Sequence, residues 1–242
     1  MRKVAIFIGA CAVLTACDKH DPILPGERSD IFAVDSLNVL NTPVPNVSEN
    51  AVDLEIPDCP YTQKSDNTIW NGERKIFSGF ATNNYVAGDK KPICHGSYVY
   101  AGLSTGELVK VNGKNREIAW IADVYRPTNM MGGASVIDII ATPVIYKNYV
   151  YVGGLGNAFC KISDLTGNAA WCIDIGVQKN FVVTDSAIYV VDTDDNLNAI
   201  RMRDGAIFWR VAVEKSRTPK YANKTITVGH EKFNAETGEH IK

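Results

Sequence analysis

Nowhere in this chain of 242 residues does an apolar run reach the roughly 20 residues that a membrane-spanning helix needs. Beyond the first 17 residues no stripe of helical period appears, which argues against a helical fold. An excess of one charge is missing too. The 25 Lys and Arg stand against 27 Asp and Glu, so no basic field draws the chain to nucleic acid. The six cysteines include no Cys-x-x-Cys and no adjacent pair, which excludes zinc ribbons and dithiol redox motifs. His20, His95, His230 and His240 lack ligand spacing, and no Gly-x-Ser-x-Gly elbow is present. "GGLGN" (153–157) has no helix after it on which a phosphate could rest. "DTDDNL" (192–197) begins like a calcium loop. Leu197 stands where the sharp turn needs Gly, and Arg203 where a bidentate Glu belongs, so the stretch reads as a hairpin turn. No catalytic constellation emerges, and no cofactor or metal is expected.

What is present begins with a leader. "MRKVAIFIGACAVLTAC" carries Arg2 and Lys3, a short apolar run from Val4 to Ala16, and then Cys17. This is the pattern of an export signal. Its end, Leu14-Thr15-Ala16-Cys17, resembles a bacterial lipobox, so residues 1–16 are expected to be removed and Cys17 to carry lipid. Cys11 after Ile8-Gly9-Ala10 is a rival with a shorter apolar run. The expected address is the bacterial envelope, facing the periplasm, with the lipid as the sole membrane attachment. Asp18 resembles an inner-membrane retention signal of enteric bacteria, but the outer membrane is the favoured reading. Residues 17–50, rich in proline and polar residues, read as the lipidated N-terminus and a flexible stalk. Export permits disulfides among Cys59, Cys94, Cys160 and Cys172. Cys160 and Cys172 flank Thr166 symmetrically, so they face each other if the stretch is a hairpin; buried free thiols are the alternative.

Residues 51–242 repeat themselves. "KPICHGSYVYAGLSTGELVKVNGKNREIAW" (91–120), "TPVIYKNYVYVGGLGNAFCKISDLTGNAAW" (142–171) and "NFVVTDSAIYVVDTDDNLNAIRMRDGAIFW" (180–209) share one grammar, and "TPKYANKTITVGHEKFNAETGEHI" (218–241) begins it again. Tyr100, Tyr151 and Tyr189 occupy matching places, as do Trp120, Trp171 and Trp209. Within each unit the alternation has period two, the mark of half-buried strands. Gly106, Gly156 and Asp194-Asp195-Asn196 fall where hairpin turns belong, and Asn112-Gly113 predicts a tight turn. Four short strands ending in Trp, recurring at about 40 residues, describe a propeller blade. The expected fold is therefore all-β: a partial β-propeller of four-stranded antiparallel blades. The units run over about 91–124, 142–175, 180–213 and 218–242, with a worn unit around the core candidate Trp70. The recurring Tyr and Trp are expected between neighbouring blades.

"DLTGNAAW" and "NAETGEHI" resemble the closing motif of the quinoprotein-type propeller repeat. Together with the lipobox, the stretch from about Gly88 to Ile241 is similar to the BamB family, lipoproteins of the machinery that inserts β-barrels into the bacterial outer membrane. The resemblance implies a non-catalytic eight-bladed scaffold that docks onto the periplasmic domains of a BamA-like barrel protein through loops on one face. Two stretches correspond to those loops. In "NNYVAGDKKP" (83–92) the family's Arg position reads Ala87 and a flanking leucine position reads Val86. In "VIDIIATP" (136–143) the first of two family carboxylates matches Asp138 and the second reads Ile140. A turn-capping role for Asp138 is the alternative. Quinoprotein dehydrogenases share the repeat, but the resemblance implies for them a longer chain, a calcium site and, usually, paired cysteines. Eight blades at about 40 residues each need over 300, so the chain reads as a reduced member, a fragment or one half of something that closes with a partner; an open arc would expose sheet edges. A propeller remnant that binds a small ligand or another envelope protein is the second reading.

Overall fold

A computed structural model describes residues 37–52, 58–82, 85–88, 90–125 and 136–241. Cys11, Cys17 and Asp18, with the leader and lipid-anchor readings, lie outside the described residues. Strands form where period-two stretches are bounded by Gly, Asn or Asp, and they group into five antiparallel meanders. Blade 1 holds β1 (Tyr61–Gln63), β2 (Thr68–Asn71) and β3 (Arg74–Ser78). Blade 2 holds β4 (Ile93–His95), β5 (Tyr98–Gly102), β6 (Glu107–Asn112) and β7 (Ile118–Asp123). Blade 3 holds β8 (Val144–Tyr146), β9 (Tyr149–Gly154), β10 (Ala158–Ser163) and β11 (Ala169–Ile173). Blade 4 holds β12 (Val182–Val183), β13 (Ala187–Val191), β14 (Asn196–Arg201) and β15 (Ile207–Ala212). Blade 5 holds β16 (Lys220–Ala222), β17 (Thr225–Val228) and β18 (Glu231–Asn234). The all-β partial propeller read from the sequence is the fold observed. No helix among the described residues is long and apolar enough to cross a membrane.

Four apolar clusters join the blades in series: 1 to 2, 2 to 3, 3 to 4 and 4 to 5. Among the described residues none joins blade 5 to blade 1. The joints rest on one recurring device. Strand register aligns Tyr100 with Lys110 and Trp120, Tyr151 with Lys161 and Trp171, and Tyr189 with Ala199 and Trp209. Each Tyr ring meets its Trp with centroids 6.0, 6.3 and 5.9 Å apart in turn. Each row then docks on the last turn of the following blade. A side chain at Gly167 would strike Trp120, one at Gly205 would strike Trp171, and one at Gly238 would strike Trp209. These glycines hold φ of +76°, +78° and +75°, so the turn demands glycine for its backbone and for its space.

Hydrogen bonds close each joint. At the second joint Trp120 Nε1 and Lys110 Nζ donate to the Asp164 carbonyl at 2.9 and 2.7 Å. Lys110 and the Tyr100 hydroxyl also donate to the Asp164 carboxylate at 2.8 and 2.6 Å. At the third, Trp171 Nε1 and Lys161 Nζ donate to the Met202 carbonyl at 3.1 and 3.0 Å. At the fourth, Ala199 replaces the lysine and the Tyr189 hydroxyl donates to the Ala235 carbonyl at 3.0 Å.

Blade 1 departs from the pattern. Trp70 is half-buried on its outward face, with Lys64 Nζ 4.0 Å above the ring, and Ile69 fills the core place instead. Trp70 is therefore not the core residue expected, because β2 turns alternate side chains to opposite faces. At this joint Tyr61 lies over Gly113, Arg74 Nη2 donates to the Lys114 carbonyl at 3.2 Å, and a Cys59–Cys94 disulfide staples the two blades. The Asn112-Gly113 turn also differs from expectation. Asn112 Oδ1 accepts the Lys114 and Asn115 amides at 2.9 and 3.3 Å, and the left-handed residue of the longer loop is Arg116 at φ +67°. Arg116 stands where later blades place glycine.

Residues 37–50, within the stretch read as a stalk, are bonded to blades 4 and 5. Val39 bridges Ile207 in parallel, Val44 is fully buried and its amide donates to the Glu236 carbonyl at 2.9 Å. Further along, the Tyr221 hydroxyl donates to the Ser48 carbonyl at 2.5 Å and Asn50 bridges Ala222. Leu37, Val39, Leu40, Val44 and Val47 also pack on the inter-blade clusters, but at irregular spacing, which is why no periodicity announced them.

Gly205→Ala should lower unfolding free energy by about 2–4 kcal/mol, combining left-handed strain with the clash against Trp171. Arg116→Gly, at the same turn position, should raise it by about 0.5–1 kcal/mol. Urea denaturation of both variants checks the opposite signs. A second test concerns the row tyrosines. Burial pushes the Tyr151 hydroxyl up to about 12 and those of Tyr100 and Tyr189 well above the usual range. A folded-state pKa raised above the unfolded value near 10 gives stability that is complete below that value and lost as pH rises past it. Phenolate absorbance at pH about 11 should therefore fall short of the ten tyrosines, the remainder appearing only on alkaline unfolding.

Candidate functional site: a loop-built docking face

The connections from each outermost strand to the next innermost one emerge at one end of the blades, beside the β5–β6, β9–β10 and β13–β14 hairpins. A repeated bond fixes them there. Val124 donates to the Gly106 carbonyl, Val177 to that of Gly154 and Val213 to that of Asp195, at 2.8, 2.8 and 2.9 Å. Both stretches singled out from the sequence lie at this end.

Asn67 ties down the segment that leads into the first. Its fully buried amide donates to the Phe80 carbonyl at 2.7 Å and to the Ser104 hydroxyl at 2.8 Å, and its Oδ1 accepts the Ser104 amide at 2.9 Å. One side chain thereby ties the loop after blade 1 to the β5–β6 turn. Sequence reasoning missed Asn67, since a polar turn residue gives no sign of where its amide reaches.

The second stretch lies across blades 2 and 3. Ile139 donates its amide to the Leu103 carbonyl at 3.1 Å, and Leu155 donates to that of Asp138 at 2.9 Å. Gly102 and Gly154 leave the room this segment occupies, since a Cβ at either would collide with Ile139 or the Asp138 carbonyl. Asp138 is 2% exposed, and its Oδ2 accepts the Val86 amide at 2.6 Å. Ile140 is 4% exposed and packs beneath Gly88. Of the four residues, then, Asp138 and Ile140 are buried under the loop, Val86 is half-buried and Ala87 is exposed. Asp138 sets the loop's shape rather than offering a surface charge. Exposed apolar side chains stand on these two connections: Phe80 is 82% exposed, Tyr85 49% and Val136 44%, with Lys91 exposed as well.

Behind this loop a cavity of about 1110 Å³ opens among the innermost strands of blades 1 to 4, lined by Gln63, Lys90, Lys91, Asn180 and Phe181 among others. Burial pulls the Lys90 ammonium down from its usual range, opposed by the charge of Asp138. Among the described residues no three His, Cys, Asp or Glu side chains are placed to hold a metal. The Asp192 carboxylate in "DTDDNL" is occupied as a turn brace: it accepts the Asp194 and Asn196 amides, Asn198 Nδ2 and Arg210 Nη2 at 2.8–3.0 Å. Cys160 and Cys172 pair directly across β10 and β11 and form a disulfide.

Fold and repeat together define a β-propeller of the quinoprotein-repeat class. Residues 45–211 match the profile of the family described as outer membrane protein assembly factor BamB, and the chain belongs to that family. BamB of Kangiella koreensis is 27% identical over 128 residues, covering 52% of this chain and 33% of its own length. BamB of Escherichia coli K12 is 20% identical over 124 residues, 51% of this chain and 32% of its own. The matched region thus spans about a third of the length of these relatives. BamB from Moraxella catarrhalis shares the fold with a TM-score of 0.62 at 18% identity, covering 75% of this chain and 59% of that one. A quinohemoprotein alcohol dehydrogenase from Pseudomonas putida HK5 superposes with a TM-score of 0.51 at 12% identity, covering 80% of this chain and 42% of that one.

Asp138→Ala should free the Val86 amide, and its hydrogen exchange should accelerate about 10- to 100-fold, the worth of a bond to a charged acceptor. Amides of blade 4 should keep their protection.

Proposed function

We propose that this protein is a non-catalytic scaffold of outer-membrane β-barrel assembly, anchored by lipid at Cys17, facing the periplasm, and docked on a BamA-like protein. Family membership supports the role. The observation that carries the docking surface is the buried Asp138 carboxylate, which holds the Val86 amide and so presents Ala87 beside exposed Phe80, Tyr85 and Val136. A pre-shaped apolar loop lowers the ordering cost of association. With Ala87 and Ile140 where the family carries an arginine and an acid, docking here relies on shape and apolar contact more than on charge pairing. The outer membrane is the proposed address.

Tagged chain purified from its native envelope should co-purify the barrel assembly protein. Ala87→Glu, a surface change that leaves the loop's bonds intact, should cut recovery at least about tenfold, as a charge at an apolar contact does. Asp138→Ala should reduce it less. Equal recovery from wild type and both variants would remove this loop from the interface. Turnover of alcohols on adding pyrroloquinoline quinone and calcium would overturn the scaffold reading.

A further inference from the structure

At the same end of the molecule, over blades 4 and 5, three loops enclose a separate cleft of about 400 Å³. The connection into blade 4 contributes Gln178 and Lys179, the β13–β14 turn contributes Thr193 and Asp195, and the segment after β15 contributes Lys215, Ser216 and Arg217. Its charge is lopsided. Among the described residues Lys179, Lys215 and Arg217 make no ion pair, whereas the one lining carboxylate, Asp195, accepts the Ser216 amide at 2.6 Å.

One further observation points to a ligand. Ser216 is 6% exposed, yet its hydroxyl has no hydrogen-bond partner in the protein. A buried hydroxyl left unpaired is costly, and such groups are few in folded proteins. Gly176 makes room for the Thr193 side chain, since a Cβ at that glycine would lie 2.6 Å from Thr193 Oγ1, and the Thr193 amide donates to the Gly176 carbonyl at 2.9 Å, which fixes this turn against the connection into blade 4.

We propose that this cleft binds an oxyanion, the phosphate or carboxylate of a ligand, through Lys179, Lys215 and Arg217 with the Ser216 hydroxyl as a neutral donor. Arginine offers a planar fork that matches either group in bidentate fashion, and the lysines act as point charges. The volume lies in the range of small-molecule pockets and exceeds the needs of a single inorganic ion, which favours a ligand with two oxyanion groups. Such groups reach the cleft on a free polyanion or on neighbouring acidic side chains of a protein. The site does not depend on the docking loop around Ala87.

The test is calorimetric titration of the full chain at about 20 mM salt, where screening is weak, with pyrophosphate, with citrate and with an acidic Asp/Glu peptide. At least one probe should saturate with Kd below about 1 mM and weaken at about 200 mM salt. Arg217→Gln should weaken it about tenfold or more and Ser216→Ala about three- to tenfold, each with unchanged thermal unfolding. Lys75→Gln, an exposed cation on blade 1, should have no effect. Saturation by pyrophosphate or citrate alone assigns a free anion, and saturation by the peptide alone assigns a protein segment. No saturation by any probe up to about 20 mM, or equal loss in Lys75→Gln and Arg217→Gln, would overturn the proposal.

Discussion

The contact between a tryptophan face and the glycine turn of the next blade is what the rest of the structure depends on. A single antiparallel sheet cannot bury both faces, and each blade here solves that by receiving its neighbour's aromatic row. Trp120, Trp171 and Trp209 each remove a large apolar area from water. The turn glycines allow the approach, and the Asp164, Met202 and Ala235 carbonyls accept the Trp120 and Trp171 indoles, both lysines and the Tyr189 hydroxyl, while the Trp209 indole N–H is buried without a partner. The Lys110–Asp164 pair is mostly buried, so its value lies in mutual satisfaction: removing either partner would strand a charge in the joint.

The functional end follows from the same scaffold. Because rigid rows fix the blades, the hairpins and connections that emerge above them inherit fixed positions. Asn67 and Asp138 then lock loop to loop by hydrogen bonds, and Asp192 braces its own hairpin turn. The proposed docking loop and the basic cleft are thus both products of outermost-to-innermost connections, separated by the blades that carry them.

Much of this was legible in the sequence. Period-two strands and Tyr and Trp at matching places define blades 2 to 4, because packing between repeats imposes the same residue on every copy; Gly stands four residues before Trp in blades 3 and 4, and Arg116 replaces it in blade 2. Blade 1 was obscured by short strands and by Trp70, whose outward face and lysine partners mimic a core residue in composition alone. Cys160 and Cys172 were visible as a pair through hairpin symmetry, whereas Cys59 and Cys94 share no local pattern. At the site, residues 83–92 and 136–143 were found by resemblance, but not the burial of Asp138, since segment 136–140 has no periodicity from which to read a face. The cleft residues come from three distant stretches and converge only after folding.

The tryptophan locks all point forward along the chain, and this bears on assembly in time. A polypeptide emerging N-terminus first displays each aromatic row before the turn that covers it exists. Trp120 waits for the end of blade 3, Trp171 for blade 4 and Trp209 for blade 5. The longest wait belongs to residues 37–52, which are made before every blade yet bind the last two. These sequence-distant contacts form late and slowly, so the clip that comes first in the chain is the final piece to settle.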